Sequence, residues 1–178
     1  ISNFISNYRY FNYDNTNDVK KVIKIMKKLH ATQKLCGVRY NIHNEINKFY
    51  DLNKKYVLNI YPNLSEIKEV VTSIFNSLDY GNVELSLCHN DIYPTNILIS
   101  DDDLYLIDWE FAKDTHPALD LTTFFVCSSY AEAEIDEIVK MYLEEEYQDK
   151  KSEYYHYFVV GAFYWLLWAL HVEAHGGD

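Results

Sequence analysis

Cys88-His89-Asn90-Asp91-Ile92-Tyr93-Pro94-Thr95-Asn96, followed by Leu106-Ile107-Asp108-Trp109-Glu110, is the stretch on which the fold turns. It sets His89, Asp91 and Asn96 in the order H-x-D-x-x-x-x-N, with a second aspartate, Asp108, at the end of a β-type run. Leu85-Ser86-Leu87-Cys88 reads as a short buried strand entering the loop, and Asn96-Ile97-Leu98-Ile99-Ser100 as a strand leaving it. Asp101-Asp102-Asp103 is a polar turn, and Leu104-Tyr105-Leu106-Ile107 returns as a third strand. That hairpin carries Asp108 back beside Asn96. Charge gives the pattern its chemical sense. A transferring phosphoryl group needs a divalent metal to neutralise it and hard oxygen ligands to hold that metal. It also needs one free carboxylate to orient the attacking hydroxyl. The bland alternative, a β-hairpin with acidic turns, implies no particular order of His, Asp, Asn and Asp.

Phosphotransferases of protein-kinase architecture use this order of residues. His89-Asn90-Asp91, Asn96 and Ile107-Asp108-Trp109-Glu110, completed by Phe111, resemble the catalytic core of the choline/ethanolamine kinase and aminoglycoside phosphotransferase superfamily, and the choline kinase branch most. Asp120 stands where that family has a further acidic residue in a Phe/Leu-Asp-Leu segment. Tyr164-Trp165-Leu166-Leu167-Trp168-Ala169-Leu170 is similar to the family's late helix, whose paired tryptophans wall the choline pocket. One departure stands out: choline kinases usually carry a Glu a little after the position of Asp120, where this chain has Cys127, with Glu132 and Glu134 as candidate substitutes.

The resemblance implies an α+β fold, mostly helical: the C-terminal lobe of a protein-kinase-like fold with a small catalytic β-hairpin, spanning 1–178. It implies Asp91 as the base that accepts the hydroxyl proton, with His89 and Asn96 completing the catalytic loop. Asn96, Asp108 and Glu110 are implied as ligands of Mg²⁺, with ATP as co-substrate. Asp91, Glu110, Phe111, Trp165 and Trp168 are implied to face the substrate, and Asp120 to support the loop. Ile1 to Tyr13 resembles the region after the hinge of such an enzyme, and Val19 to His30 the first helix of its C-terminal lobe. No Gly-rich phosphate loop or strand-borne Lys precedes the catalytic loop, so the expectation is a lobe without its N-terminal nucleotide-binding partner, inactive alone and prone to dimer contacts on the bared face.

The tryptophans have physics of their own. At i, i+3 spacing Trp165 and Trp168 share a helix face. A quaternary ammonium offers no hydrogen-bond donor, so aromatic faces recognise it, Trp best of all. An aromatic stripe on a helix is otherwise core, and both readings stand at this point.

Composition bounds the rest. The chain has 178 residues, 48% hydrophobic, with 17 Tyr and 9 Phe, enough for one domain with a real core. Net charge is -11, which argues against nucleic acid as a partner; it suits a cationic substrate, although solubility explains it equally. Cys36, Cys88 and Cys127 lack C-x-x-C spacing and read as reduced thiols of a cytoplasmic protein. The longest apolar run, Tyr157 to Leu170, is interrupted by Gly161 and falls short of the ~20 residues of a membrane span.

Along the chain, residues 1–16 read as an extended or loop segment. Asp18 is placed to cap a helix with Val19, Val22, Ile23, Met26 and Leu29 inside and Lys20, Lys21, Lys24, Lys27 and Lys28 as its solvated face. His43 to Leu52 reads as weakly patterned helix. Pro62-Asn63 starts a helix with Leu64, Ile67, Val70, Val71, Ile74 and Leu78 inside, ended by Gly81. Helices are expected at Leu119–Tyr130, with Asp120 in the favourable first turn, at Ala131–Glu146 and at Tyr154–Ala174, with Lys150-Lys151-Ser152 as a linker and Gly176-Gly177 as the final stop. His43, His116, His156, His171 and His175 lack ligand spacing.

The leading expectation is phosphorylation of choline, with ethanolamine second. The rivals are an aminoglycoside or other small-molecule phosphotransferase, against which the paired tryptophans argue, and a lobe that only binds quaternary ammonium ions.

Overall fold

A computed structural model describes residues 5–32, 34–79, 81–100 and 103–176. Its elements run β1 (Arg9–Tyr10), α1 (Thr16–His30), α2 (Ile42–Ile60), α3 (Leu64–Ser77), β2 (Ser86–Cys88), β3 (Ile97–Ser100), β4 (Asp103–Leu106), β5 (Lys113–Thr115), α4 (Ala118–Val126), α5 (Glu132–Leu143) and α6 (Tyr147–His175). The chain is mostly helical with small antiparallel sheets, as the motif implied.

The strands make two sheets. β1, β3 and β4 form one in that order; Ile97 faces Leu106 and Tyr10 faces Leu98. β2 and β5 form the other, with Cys88 opposite Lys113. The loop carrying Asp91 leaves the second sheet and enters the first. Of the expected Asp101-Asp102-Asp103 turn, the first two residues lie outside the described residues, and Asp103 pairs with Ser100.

α6 is the central helix. Along it Tyr157, Val160 and Leu167 are fully buried, each worth about 1.5–3 kcal/mol by apolar burial, and α2, α3, α4 and α5 pack on it. Gly161 is where α4 comes closest: a Cβ there would stand 2.7 Å from Cγ2 of Thr122. α4 has all of Ala118 to Phe125 buried. Its hydroxyls survive burial because Thr122 and Thr123 donate to the carbonyls of Ala118 and Leu119 at 2.8 and 3.0 Å. By length and composition alone, one 18-residue window within Glu132–His175 is apolar enough to cross a bilayer; core helices of globular folds meet the same criterion, and α6 carries the packing of its neighbours.

Several local expectations are corrected. Asn15, not Asp18, caps α1, accepting from the amides of Asn17 and Asp18 at 3.0 and 3.3 Å. Asp18 is buried in the first turn, where Arg9 donates to both its oxygens at 2.6 and 2.8 Å and holds its carboxyl below the usual range. That ion pair, with the β1–β3 pairing, holds the extended part of the entry segment in place. α2 runs on to Ile60 because Ile42, Ile46, Tyr50 and Asn53 form a buried stripe that its many Asn and Lys residues disguise. Lys150-Lys151-Ser152 is not a linker: α6 begins at Tyr147, whose ring is buried under the cations of Lys140 and Lys151. On α3 the buried residues are Leu64, Val71 and Phe75, while Ile67 and Val70 are exposed, since the helix presents only a narrow stripe. Gly176 ends α6 in the left-handed region, at φ 84°.

Candidate active site

The loop after β2 is held from beneath by Asp120. This carboxylate, fully buried in the first turn of α4, accepts the backbone N–H of His89 at 2.9 Å and that of Asn90 at 2.6 Å. His30, at the end of α1, brings Nε2 to 2.9 Å from the same group, and its Nδ1 lies 2.7 Å from the Tyr142 hydroxyl. A buried carboxylate needs such partners. His89 is fully buried as well. Its Nε2 lies 2.9 Å from the Ile107 carbonyl, which can only accept, so Nε2 bears the proton and Nδ1 accepts the Asp91 amide at 3.3 Å. With both ring nitrogens engaged and the ring against Trp109, His89 ties the Asp91 backbone to that of Ile107 and lies outside the cavity's lining. Asn90 sits at φ 62° and Asp108 at φ 63°, a region costly for both residues that bends the chain at the two points flanking the chemistry.

Asp91 is the central carboxylate. Asn96 Nδ2 donates to its Oδ2 at 2.7 Å and to its carbonyl at 3.1 Å. Burial raises its pKa, opposed by His89 and by the Asn96 bond, with the charge of Asp108 adding to the rise. Because Asn96 donates through nitrogen, its Oδ1 remains an acceptor. The Ile107 amide donates to the Asn96 carbonyl at 3.0 Å, which brings Asp108, the next residue, to the same place. An amide oxygen and a carboxylate are the hard oxygen donors that suit Mg²⁺.

Asp91, Asn96 and Asp108 open on a cavity of about 670 Å³. Much of its lining is aromatic: Trp165 and Trp168 from α6, their rings 5.5 Å apart at 74°, then Tyr164, with Phe49 of α2 and Tyr40 edge-on to it at 5.8 and 6.3 Å. Phe111 closes another side. Trp165 is oriented by donating Nε1–H to the Thr123 hydroxyl at 3.3 Å. Tyr40 is positioned by Asp114, whose carboxylate accepts the amides of Cys36 and Gly37 at 2.8 and 2.7 Å and whose carbonyl accepts that of Tyr40 at 2.9 Å. A second cavity, about 520 Å³ around Lys27, His30, Tyr142 and Glu153, lies behind the loop and holds none of Asp91, Asn96 or Asp108.

The structure thus brings Asp91, Asn96, Asp108, Phe111, Trp165 and Trp168 to one cavity. Glu110 is exposed and outside the lining. Neither Glu132 nor Glu134 reaches it; Glu134 instead accepts the Ala131 amide at 2.8 Å, capping its own helix. Cys127 ends α4, also outside the lining, its thiol pushed up to about 11 by burial and by the charge of Asp91. Lining residues to which no sequence motif pointed include Tyr40, Glu45, Lys48, Phe49, Lys113 and Thr123. The one local signal was the i, i+4 pairing of Glu45 and Phe49, which puts them on one face of α2.

A model of the phosphotransferase enzyme family matches residues 12–154. The chain is 24% identical over 170 residues to Protein LicA of Haemophilus influenzae, covering 89% of this chain and 62% of that protein. Among solved structures it is similar to choline kinase LicA from Streptococcus pneumoniae (24% identity, TM-score 0.81, covering 98% of this chain and 62% of the other). It is also similar to a choline/ethanolamine kinase family protein from Mesorhizobium loti (17% identity, TM-score 0.83, 97% and 60%). The chain therefore spans about three fifths of the length of each of these relatives.

Proposed function

The chain belongs to the phosphotransferase enzyme family, and we propose that its cavity takes choline, with ethanolamine second, and presents the hydroxyl to Asp91 for phosphorylation by ATP. The observation that carries this reading is the cavity itself, whose lining joins Asp91, Asn96 and Asp108 to a cluster of five aromatic rings. A methylated ammonium is recognised by aromatic faces, and a short alcohol tethered to it would then reach Asp91. The hydroxyl proton passes to Asp91, the oxygen forms its bond to the γ-phosphorus, and the bond to ADP breaks. Asn96 and Asp108 would hold Mg²⁺, which supplies charge neutralisation at the phosphates. The likeness to choline kinase LicA supports the reading.

In this proposal the chain is the C-terminal, substrate-binding lobe, and nucleotide phosphates are gripped largely by a second lobe. The three free thiols suit a reducing compartment. An aminoglycoside, polar and rich in hydrogen-bonding groups, finds few partners on so aromatic a wall. The test is a panel of choline, ethanolamine and an aminoglycoside with ATP and Mg²⁺ on the full-length protein. Turnover of choline above the others is expected. Turnover of the aminoglycoside alone would overturn the proposal.

A further inference from the structure

An onium held only by aromatic faces gains from a nearby carboxylate, and the expected donors of that charge, Glu110, Glu132 and Glu134, all lie outside the cavity. Among the described residues lining it, the carboxylates are Glu45, Asp91 and Asp108. Asp91 is bound by Asn96, and Asp108 follows Ile107, whose amide donates to the Asn96 carbonyl. Glu45 comes from a different element, in the first turn of α2, one helical turn before Phe49. Tyr164, also in the lining, has its phenol raised chiefly by burial, and the charges of both Glu45 and Asp91 add to the rise.

A cation already occupies this corner. Lys48 Nζ is 3.5 Å from Glu45 Oε2 and 5.4 Å from the centroid of the Phe49 ring. An ammonium beside a carboxylate and over an aromatic face is the arrangement a cationic substrate would need. The pair is loose: the side chain of Lys48 is 61% exposed and that of Glu45 32%, so the lysine can swing into water at little cost. Lys113, the other lysine lining the cavity, lies over the Tyr40 ring at 5.1 Å.

We propose that Glu45 supplies the counter-charge for the substrate's ammonium and that Lys48 is a resident cation which the substrate displaces. This rests on the amino-alcohol reading above and adds to it a specificity residue and a competitor built into the chain. It makes affinity for the cation depend on a balance between two side chains one turn apart, and makes that affinity fall with salt.

The test is titration calorimetry of the full-length protein at low salt with choline and with 3,3-dimethyl-1-butanol, its neutral isostere, for wild type, Glu45→Gln and Lys48→Met. Both substitutions are at partly exposed positions and leave the core intact. Wild type is expected to prefer choline. Glu45→Gln should lower that preference by about three- to fivefold, the scale of a partly exposed ion pair. Lys48→Met should tighten choline and leave the isostere unchanged. A wild-type preference that survives Glu45→Gln undiminished overturns the role of Glu45 and leaves the amino-alcohol reading standing. A wild type that does not distinguish the two ligands, or binds neither, overturns the reading itself and this inference with it.

Discussion

Replacing Asp120 by Ala should be among the most damaging single changes to this protein, and the size of the effect follows from its bonds. The carboxylate is fully buried and accepts three donors: the amides of His89 and Asn90 at 2.9 and 2.6 Å and His30 Nε2 at 2.9 Å. Alanine leaves the two amides with no acceptor, at about 1–2 kcal/mol each, and deletes the His30 bond, at about 1 kcal/mol more. The sum is about 3–5 kcal/mol out of the roughly 5–15 kcal/mol by which domains are stable. For a chain of this size that is a fall of about 6–20 °C in Tm. Asp120→Asn keeps one acceptor oxygen but turns an NH2 group towards the second amide, so it should recover only part of the loss. Urea unfolding followed by tryptophan fluorescence measures all three proteins. A loss below about 1 kcal/mol for the alanine variant would refute the reasoning, because it would mean that the two amides find other partners and that Asp120 does not hold the loop.

Gly161→Ala should destabilise by about 1–3 kcal/mol through overpacking, because its Cβ would meet Thr122 at 2.7 Å; adding Thr122→Ser, which deletes the clashing methyl, should restore part of the loss, and strictly additive denaturation midpoints would contradict the close approach. His116, stacked on Tyr157 at 4.0 Å, is pushed down to about 3 by burial and by Lys150, although Glu153 lies 3.5 Å from its Nε2. Its folded pKa is below the unfolded value of about 6.5, so the unfolded chain binds the extra proton between these pH values, and stability present above about pH 6.5 is lost as pH falls towards 3. His116→Gln should flatten the pH dependence of the urea midpoint between pH 6.5 and 4.5; an unchanged slope would clear His116 of the effect. Trp168→Ala should raise the KM for choline by roughly tenfold, the scale of a desolvated cation–π contact, with that for ATP little changed; the reverse pattern would remove the tryptophans from the cation pocket.

What could be read from the sequence and what could not divide along physical lines. His89, Asp91, Asn96 and Asp108 were readable because one β-loop-β segment fixes their order, and local geometry then brings them together. Trp165 and Trp168 were readable because they share one helix face. Tyr40, Glu45, Lys48 and Phe49 were not: they belong to a segment whose position depends on Asp114, distant in sequence, gathering the amides of Cys36 and Gly37. Asp114 itself lies in a short stretch, Lys113-Asp114-Thr115, with no alternating pattern, and becomes a strand only by pairing with β2. β1 is likewise two residues long and exists through its partner β3 and through the Arg9–Asp18 ion pair. Glu132 and Glu134 are near Cys127 in sequence but outside the cavity, whereas the carboxylate that joins Asp91 and Asp108 among the described lining residues comes from α2, upstream of the catalytic loop.

Asp91 carries the central claim, and Asp91→Asn in the full-length protein tests it most directly. The substitution keeps the shape and an acceptor for Asn96 but removes the base. Turnover of choline should fall by about 10²–10⁴-fold, the usual contribution of a positioned general base, while the Tm stays within a few degrees of wild type. Turnover within about threefold of wild type, with the protein folded, would contradict the account, since a base is expected to contribute far more than that.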